Sequence, residues 1–175
     1  MNKKIVYQFK PFIKVVREDY SNKYESKKNF HQIYLQDSAM VVLKDKKGQV
    51  LFLKEYRRGL KKLSLGLPGG NLDKNEKPLA AVKRELLEET GFVAKKWKLL
   101  FKYKRHGTYD CGSDHVFIAS NFKQVKSKDK IEKSKKIWMD KKKINLSLNK
   151  KKFETGGILA TILFCLFKRI WLIYC

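Results

Sequence analysis

The sequence predicts one α/β domain spanning residues 1–175, and three observations carry that expectation. Short β-rich stretches stand on both sides of one well-bounded helix near mid-chain. A second, strongly apolar helix follows near the C-terminus. The 175 residues, 43% of them apolar, suffice for one core, and no internal repeat or Pro-, Gly- or Ser-rich linker divides them.

In residues 5–17 the apolar positions Ile5, Val6, Phe9, Phe12, Ile13, Val15 and Val16 read as strand, with Pro11 at an edge or bend. Residues 20–28 read as a turn or loop. Residues 30–35 form a further strand candidate. Residues 39–43 and 50–53 read as a hairpin closed through Lys44-Asp45-Lys46-Lys47-Gly48. The helix is expected over residues 78–90, since Pro78 loses nothing in a first turn and Gly91 suits a left-handed C-cap. Leu79, Val82, Leu86 and Leu87 supply its apolar stripe.

Residues 97–103 read as a strand, 105–115 as a polar, glycine-containing loop, 116–119 as a compact buried strand and 137–139 as the last strand. The final stretch, residues 157–175, is apolar apart from Lys168 and Arg169. A charge near the centre of a spanning helix costs about 2.5–3.5 kcal/mol. We therefore read a buried terminal helix rather than a membrane span, and one needing cover on more than one side.

The chemistry concentrates on the central helix. Glu85, Glu88 and Glu89 share one helical face, within about 6 Å of each other. Three like charges repel unless something positive joins them. A hard divalent cation with oxygen ligands would do so, and magnesium suits a site that leaves room for water and phosphate. Ahead of the helix, Leu67-Pro68-Gly69-Gly70 allows backbone to approach a ligand closely, and Gly69 is placed to offer its carbonyl.

The pattern Gly70, five residues, Glu76, seven residues, Arg84-Glu85-Leu86, one residue, Glu88-Glu89, one residue, Gly91-Phe92 resembles a complete Nudix box, the signature of the Nudix hydrolases. The box covers residues 70–92. The resemblance implies an α/β/α sandwich with a mixed central sheet, and hydrolysis of a nucleoside diphosphate linked to some group X. It implies metal ligation by Glu85, Glu88, Glu89 and the Gly69 carbonyl, with Mg2+ as cofactor and Mn2+ as a substitute. Glu88 and Glu89 would also take part in catalysis. Gly70, Glu76, Arg84 and Gly91 are its structural positions, with Arg84 and Glu76 paired to brace the loop–helix–loop, and Gly70 also next to the substrate.

Glu55-Tyr56-Arg57-Arg58-Gly59 resembles the segment that precedes the box in the ADP-ribose pyrophosphatase branch, and Arg57 is expected on the substrate's phosphates, where its planar fork can hold two oxygens. Tyr56 is expected in the core. That branch uses a loop glutamate to help activate water. Here no glutamate lies between Glu89 and Glu132, so Asp114, or else Asp110, would have to serve, unless a box glutamate is the base. His106 and His115 are read as ordinary polar side chains. The branch also implies a homodimer, with a partner helping to cover the C-terminal helix.

Lys plus Arg number 41 against 17 Asp plus Glu, a formal +24. This charge favours anionic partners, although dispersed, solvated lysines account for much of it. Residues 123–152 hold thirteen lysines against Asp129, Glu132 and Asp140, a run expected to be mobile and solvated. Facing the cleft, it would draw in RNA 5' ends. Hydrolysis of such ends, of nucleoside triphosphates or of dinucleoside polyphosphates is the rival enzymatic reading, with nucleic acid the less favoured partner. A non-catalytic, nucleotide-binding regulatory domain is the rival of another class. Cys111, Cys165 and Cys175 make no close pair, and the N-terminus lacks a continuous apolar signal segment, so a cytoplasmic protein is expected. No Cys and His pairs stand at zinc-ligand spacing.

Overall fold

The computed structural model describes residues 3–10, 13–19, 30–109, 111–125 and 134–168. Pro11, the expected loop over 20–28, Asp110, residues 126–133 of the lysine run, Arg169 and Cys175 lie outside them. Strands β1 (Lys3–Phe9), β2 (Ile13–Glu18) and β3 (Phe30–Leu35) form an antiparallel sheet in that order. All of β1 is exposed, including Ile5, Val6, Tyr7 and Phe9.

The remaining strands are β4 (Ser38–Leu43), β5 (Val50–Arg57), β6 (Lys62–Gly66), β7 (Gly69–Asn71), β8 (Phe92–Lys104), β9 (Ser113–Gln124) and β10 (Lys135–Met139). They build one sheet ordered β7-β4-β9-β8 and another ordered β10-β5-β6. The first is mixed, with β4 and β9 parallel from Ser38 opposite Asp114 to Leu43 opposite Ala119. Parallel strands at the centre of a sheet are covered on both faces, which explains the uninterrupted apolar run of Val41, Val42 and Leu43. Alternate residues feed two cores. Val42, Val116, Ile118 and Phe52 enter one, and Ala39, Val41, Leu43, Phe117 and Leu51 enter the other.

Among the described residues three helices supply the outer layers. Helix α1 (Pro78–Thr90) adds Ala81, Val82 and Leu86 to the second core. Helices α2 (Lys141–Asn149) and α3 (Gly156–Phe167) add Ile144, Ile158, Ile162 and Cys165 to the first. The result is the expected α/β/α layering.

Several expectations change. The 43–50 turn forms, with Asp45 Oδ1 accepting the Lys47 and Gln49 amides at 2.9 and 2.7 Å and Gly48 at φ 77°. The hairpin, however, is one Lys44–Val50 bridge wide. Strand β4 already has β7 and β9 at its two edges, so β5 turns away to pair with β6 and β10. Strands β6 and β7 were not foreseen. Leu79 is exposed, and Ala81 takes the core position instead. Tyr56, expected in the core, is also exposed.

The lysine run is ordered where it is described. It contains the end of β9, all of β10 and α2, whose N-cap Asp140 accepts the Lys143 amide at 2.8 Å. Helix α3 buries Ile158, Thr161, Ile162 and Cys165, while Leu163 and Phe167 stay exposed. Burial pushes the Cys165 thiol up to about 12, so it stays protonated and acts as a small apolar side chain. No helix among the described residues is long and apolar enough to cross a membrane.

Candidate active site

Helix α1 begins at Pro78 and ends at Gly91, which adopts φ 74° and donates its N–H to the Leu87 carbonyl at 2.8 Å. This fixed length sets where Arg84, Glu85, Glu88 and Glu89 emerge. Arg84 is the hub. Its Nε and Nη2 donate to the two oxygens of Glu76 at 3.1 and 2.9 Å, and Nη2 also reaches the Asn71 carbonyl at 3.2 Å. Its Nη1 donates to Glu85 at 2.8 Å and to Glu88 at 3.2 Å. Glu76 in turn accepts the Asp73 amide at 2.9 Å. The loop ahead of the helix is thereby tied to the middle of the helix.

These contacts set the charges. The hydrogen bond from Arg84 is the main cause holding the Glu76 carboxyl below its ordinary 4.5. The same bond, and then that to Glu85, holds the Arg84 guanidinium above its ordinary value against the opposing effect of burial. Glu89 is buried, and its Oε2 accepts the Gly69 amide at 2.8 Å.

The backbone requires glycine at 69, while at 70 glycine leaves room for a neighbouring side chain. Gly69 lies at φ 152°, where a Cβ would overlap the Ala39 carbonyl and, at 2.6 Å, the Met40 Cα. At Gly70 a Cβ would enter the Glu85 carboxylate. The absent side chains let β7 pair with β4 on one edge and receive the acidic helix face on the other.

Among the described residues no three acidic, His or Cys side chains converge in a finished chelate. The Arg84 guanidinium bridges Glu85 and Glu88 instead. The donor chemistry nevertheless fits a hard divalent cation. Glu85, Glu88 and Glu89 offer carboxylate oxygens beside the Gly69 backbone, and no thiolate or imidazole interrupts the set. Three carboxylates against one shared guanidinium leave net negative charge.

A cleft of about 820 Å³ borders β7. Arg57 and Arg58, Gly69 and Gly70, Tyr103, Arg105, Asp114 and residues 155–158 at the start of α3 line it. None of the three box glutamates lines the cleft, and Glu89 meets it through the amide of Gly69. Arg57 is in the cleft wall, paired with Glu55. Ser64, on the same wall, is buried, and among the described residues its Oγ has no hydrogen-bond partner.

Asp114 lies at the start of β9, buried at the floor of the cleft. Its Oδ1 accepts from Ser38 Oγ and from Arg105 Nε, the latter at 2.7 Å, and its Oδ2 accepts from the Tyr103 hydroxyl at 2.5 Å. Burial first, and then this bond, push the Tyr103 pKa up, so the phenol stays a donor. Arg105 also donates to the Gln36 carbonyl. Ser38, Tyr103 and Arg105 escaped the sequence reading. They are far from Asp114 or unremarkable in type, and only the β4–β9 and β8–β9 registers bring them together.

The histidines stand apart from the cleft lining. His115 is buried with Nδ1 3.3 Å from the Ser38 carbonyl. His106 accepts the Thr108 amide at 3.2 Å and packs on Tyr109 with ring centres 4.8 Å apart.

Known proteins resemble this chain in sequence and fold. Over 85 residues the chain is 29% identical to the ADP-ribose pyrophosphatase of Bacillus subtilis (strain 168), covering 49% of this chain and 46% of that protein. Over 82 residues it is 26% identical to the methanol dehydrogenase activator of Bacillus methanolicus, covering 47% and 44%. The matches thus span about half the length of these curated relatives. The crystal structure of an ADP compounds hydrolase superposes with a TM-score of 0.81 over 98% of this chain and 92% of that one, at 19% identity, which shows the shared fold. Residues 34–159 match the model of the NUDIX domain, a family that generally uses a divalent metal. A match of that extent, over a layered fold that carries the full box, makes this chain a member of the Nudix hydrolase family.

Proposed function

We propose that the chain, acting as one domain, hydrolyses the pyrophosphate bond of a nucleoside diphosphate linked to X, with ADP-ribose or another nucleotide sugar as X-bearing substrate. ADP-ribose would give AMP and ribose 5-phosphate. The observation that carries this reading is the pairing of an acid-rich helix face with an arginine-bearing cleft across one glycine strand. Arg57 and Arg105 supply positive charge on the cleft side. The carboxylates supply negative charge behind Gly69 and Gly70.

Glu85, Glu88, Glu89 and the Gly69 carbonyl would hold Mg2+, or Mn2+ in its place. When bound, such an ion neutralises charge developing on phosphate oxygens and lowers the pKa of water. Arg57 binds a substrate phosphate. Gly70 lets the substrate approach the backbone. Arg84 and Glu76 keep loop and helix in register, while Glu89 holds Gly69 through its N–H. Glu88 is the least restrained of the three glutamates, with one 3.2 Å bond from Arg84 and 43% side-chain exposure, which supports it as the group that accepts a proton from water. Asp114 receives three donors, which supports a role in orienting Tyr103 and Arg105 rather than in removing a proton. A homodimer would cover the exposed apolar residues of α3.

The test is incubation of the purified protein with Mg2+ and a panel of ADP-ribose, other nucleotide sugars, nucleoside triphosphates and 5'-triphosphorylated RNA, beside Glu89→Gln. AMP from ADP-ribose with the unaltered protein alone is expected. Turnover confined to triphosphates or RNA would overturn the substrate assignment. That second reading is favoured by the ordered lysines of β10 and α2. It predicts activity that falls steeply with salt, because binding through many phosphates releases counterions.

A further inference from the structure

A second cavity, of about 380 Å³, adjoins the cleft. The two share Ser64 and Leu65 of β6, and the chain that borders this cavity at residues 150–152 and 154 continues into the cleft wall at 155–158. Lys54 from β5 and Lys150, Lys151 and Lys152 after α2 line it, over Leu63, Leu65, Ile137 and Met139. Among the described residues Glu154 is the single carboxylate there, and Lys62 already engages it at 2.5 Å. Among the described residues, four ammonium groups are therefore left with no carboxylate of the cavity to neutralise them.

The position of these lysines is built. Lys151 adopts φ 51°, and the amides of Lys151 and Lys152 are held by the Leu148 and Ser147 carbonyls at 2.8 and 2.9 Å. Positive charge after a helix C-terminus is favourable on its own account. That effect does not explain Lys54, which arrives from another element. Lys54 pairs with Leu65 and shares the strand face of Leu63, Ile137 and Met139, so it meets the post-helix lysines over one apolar floor.

We propose that this lysine-rimmed cavity is a phosphate subsite for the X half of the substrate. The compounds this chain binds best are then nucleoside diphosphates whose X part carries a phosphate of its own. The inference rests on the pyrophosphatase reading for the occupant of the cleft, and binding is measured separately from turnover for that reason.

The experiment is calorimetric titration of the full chain, without added metal, with ADP-ribose and with ADP-ribose phosphorylated on its distal ribose. The phosphorylated compound is expected to bind about tenfold more tightly, as charge-assisted hydrogen bonds to one added phosphate allow. In Lys54→Met/Lys151→Met, which keeps the apolar stems, the difference closes while ADP-ribose affinity is unchanged. Thermal melting checks that the variant is folded, and Lys54→Ala/Lys151→Ala repeats the comparison should it not be. Equal affinities in the unaltered protein, or a difference that survives in both variants, would overturn the subsite. So would lysine-dependent binding of inorganic pyrophosphate without any preference between the two compounds, since the cavity would then take a free anion. Absence of hydrolysis with the binding difference intact would remove the pyrophosphatase reading and leave the subsite standing.

Discussion

Besides the Arg57–Glu55 pair, arginine meets carboxylate near the cleft on α1 and at the start of β9, and the balance is opposite in these two. On α1, one guanidinium is divided among Glu76, Glu85 and Glu88, with Glu89 close by on a backbone amide. At the start of β9, one carboxylate, Asp114, receives Ser38, Tyr103 and Arg105 together. The first place gathers four carboxylates around one guanidinium. The second is closed, with most of its lone pairs engaged. Counting donors against acceptors thus separates the place where we propose a cation binds from the one where we propose Asp114 positions its neighbours, where residue type alone does not.

The sharpest way to break this contrast is to neutralise each carboxylate in turn. Glu88→Gln is expected to lower kcat by about 10²–10⁴-fold, the range for losing a general base. Asp114→Asn is expected to stay within about tenfold and to act mainly on stability. Steady-state kinetics on both variants decides, and a loss at Asp114 equal to that at Glu88 would reverse the assignment.

A smaller effect is expected from Arg84→Ala. It strips Glu76, Glu85 and Glu88 of their shared partner, and since the side chain is partly exposed the loss of stability should be about 2 kcal/mol, below that of a fully buried pair. Added Mg2+ should then raise the melting temperature of this variant more than that of the unaltered protein. Thermal melts with and without the ion measure it.

The smallest effect is a pH dependence. Glu76 has a folded-state pKa below its ordinary 4.5, so its contribution to stability is present above that value and is lost as the pH falls through the depressed one. Denaturant unfolding between neutral pH and about pH 3 should show a steeper acid loss in the unaltered protein than in Glu76→Gln.

Much of the first place was legible in sequence, because it is local. Pro78 and Gly91 bound α1 as their chemistry dictates, and the spacing of Glu85, Glu88 and Glu89 on a helix needs no tertiary knowledge. The second place was legible only as a single aspartate. Ser38 lies 76 residues from Asp114, and no periodicity announces a contact between strands that far apart. Helix α2 was hidden for another reason. Its apolar Ile144 and Leu148 stand four apart behind the N-cap Asp140, but six lysines in its sequence and its immediate flank give it the composition of a solvated run. Strand β7, three residues with two glycines, carries no strand propensity at all and exists because β4 offers it an edge.

The parallel pairing of β4 with β9 also has a consequence for how the chain is made. Strand β4 and the whole box leave the ribosome before β9 does, and synthesis at about 5–20 residues per second sets a wait of several seconds. Until residues 113–119 arrive, Val41 to Leu43 present an apolar strand with one edge unpaired. A fragment ending just after Phe92 would hold every box residue and still lack the partner strand that makes its central sheet safe from association. The motif is the smallest readable unit of this protein, and its smallest foldable unit extends at least through β9.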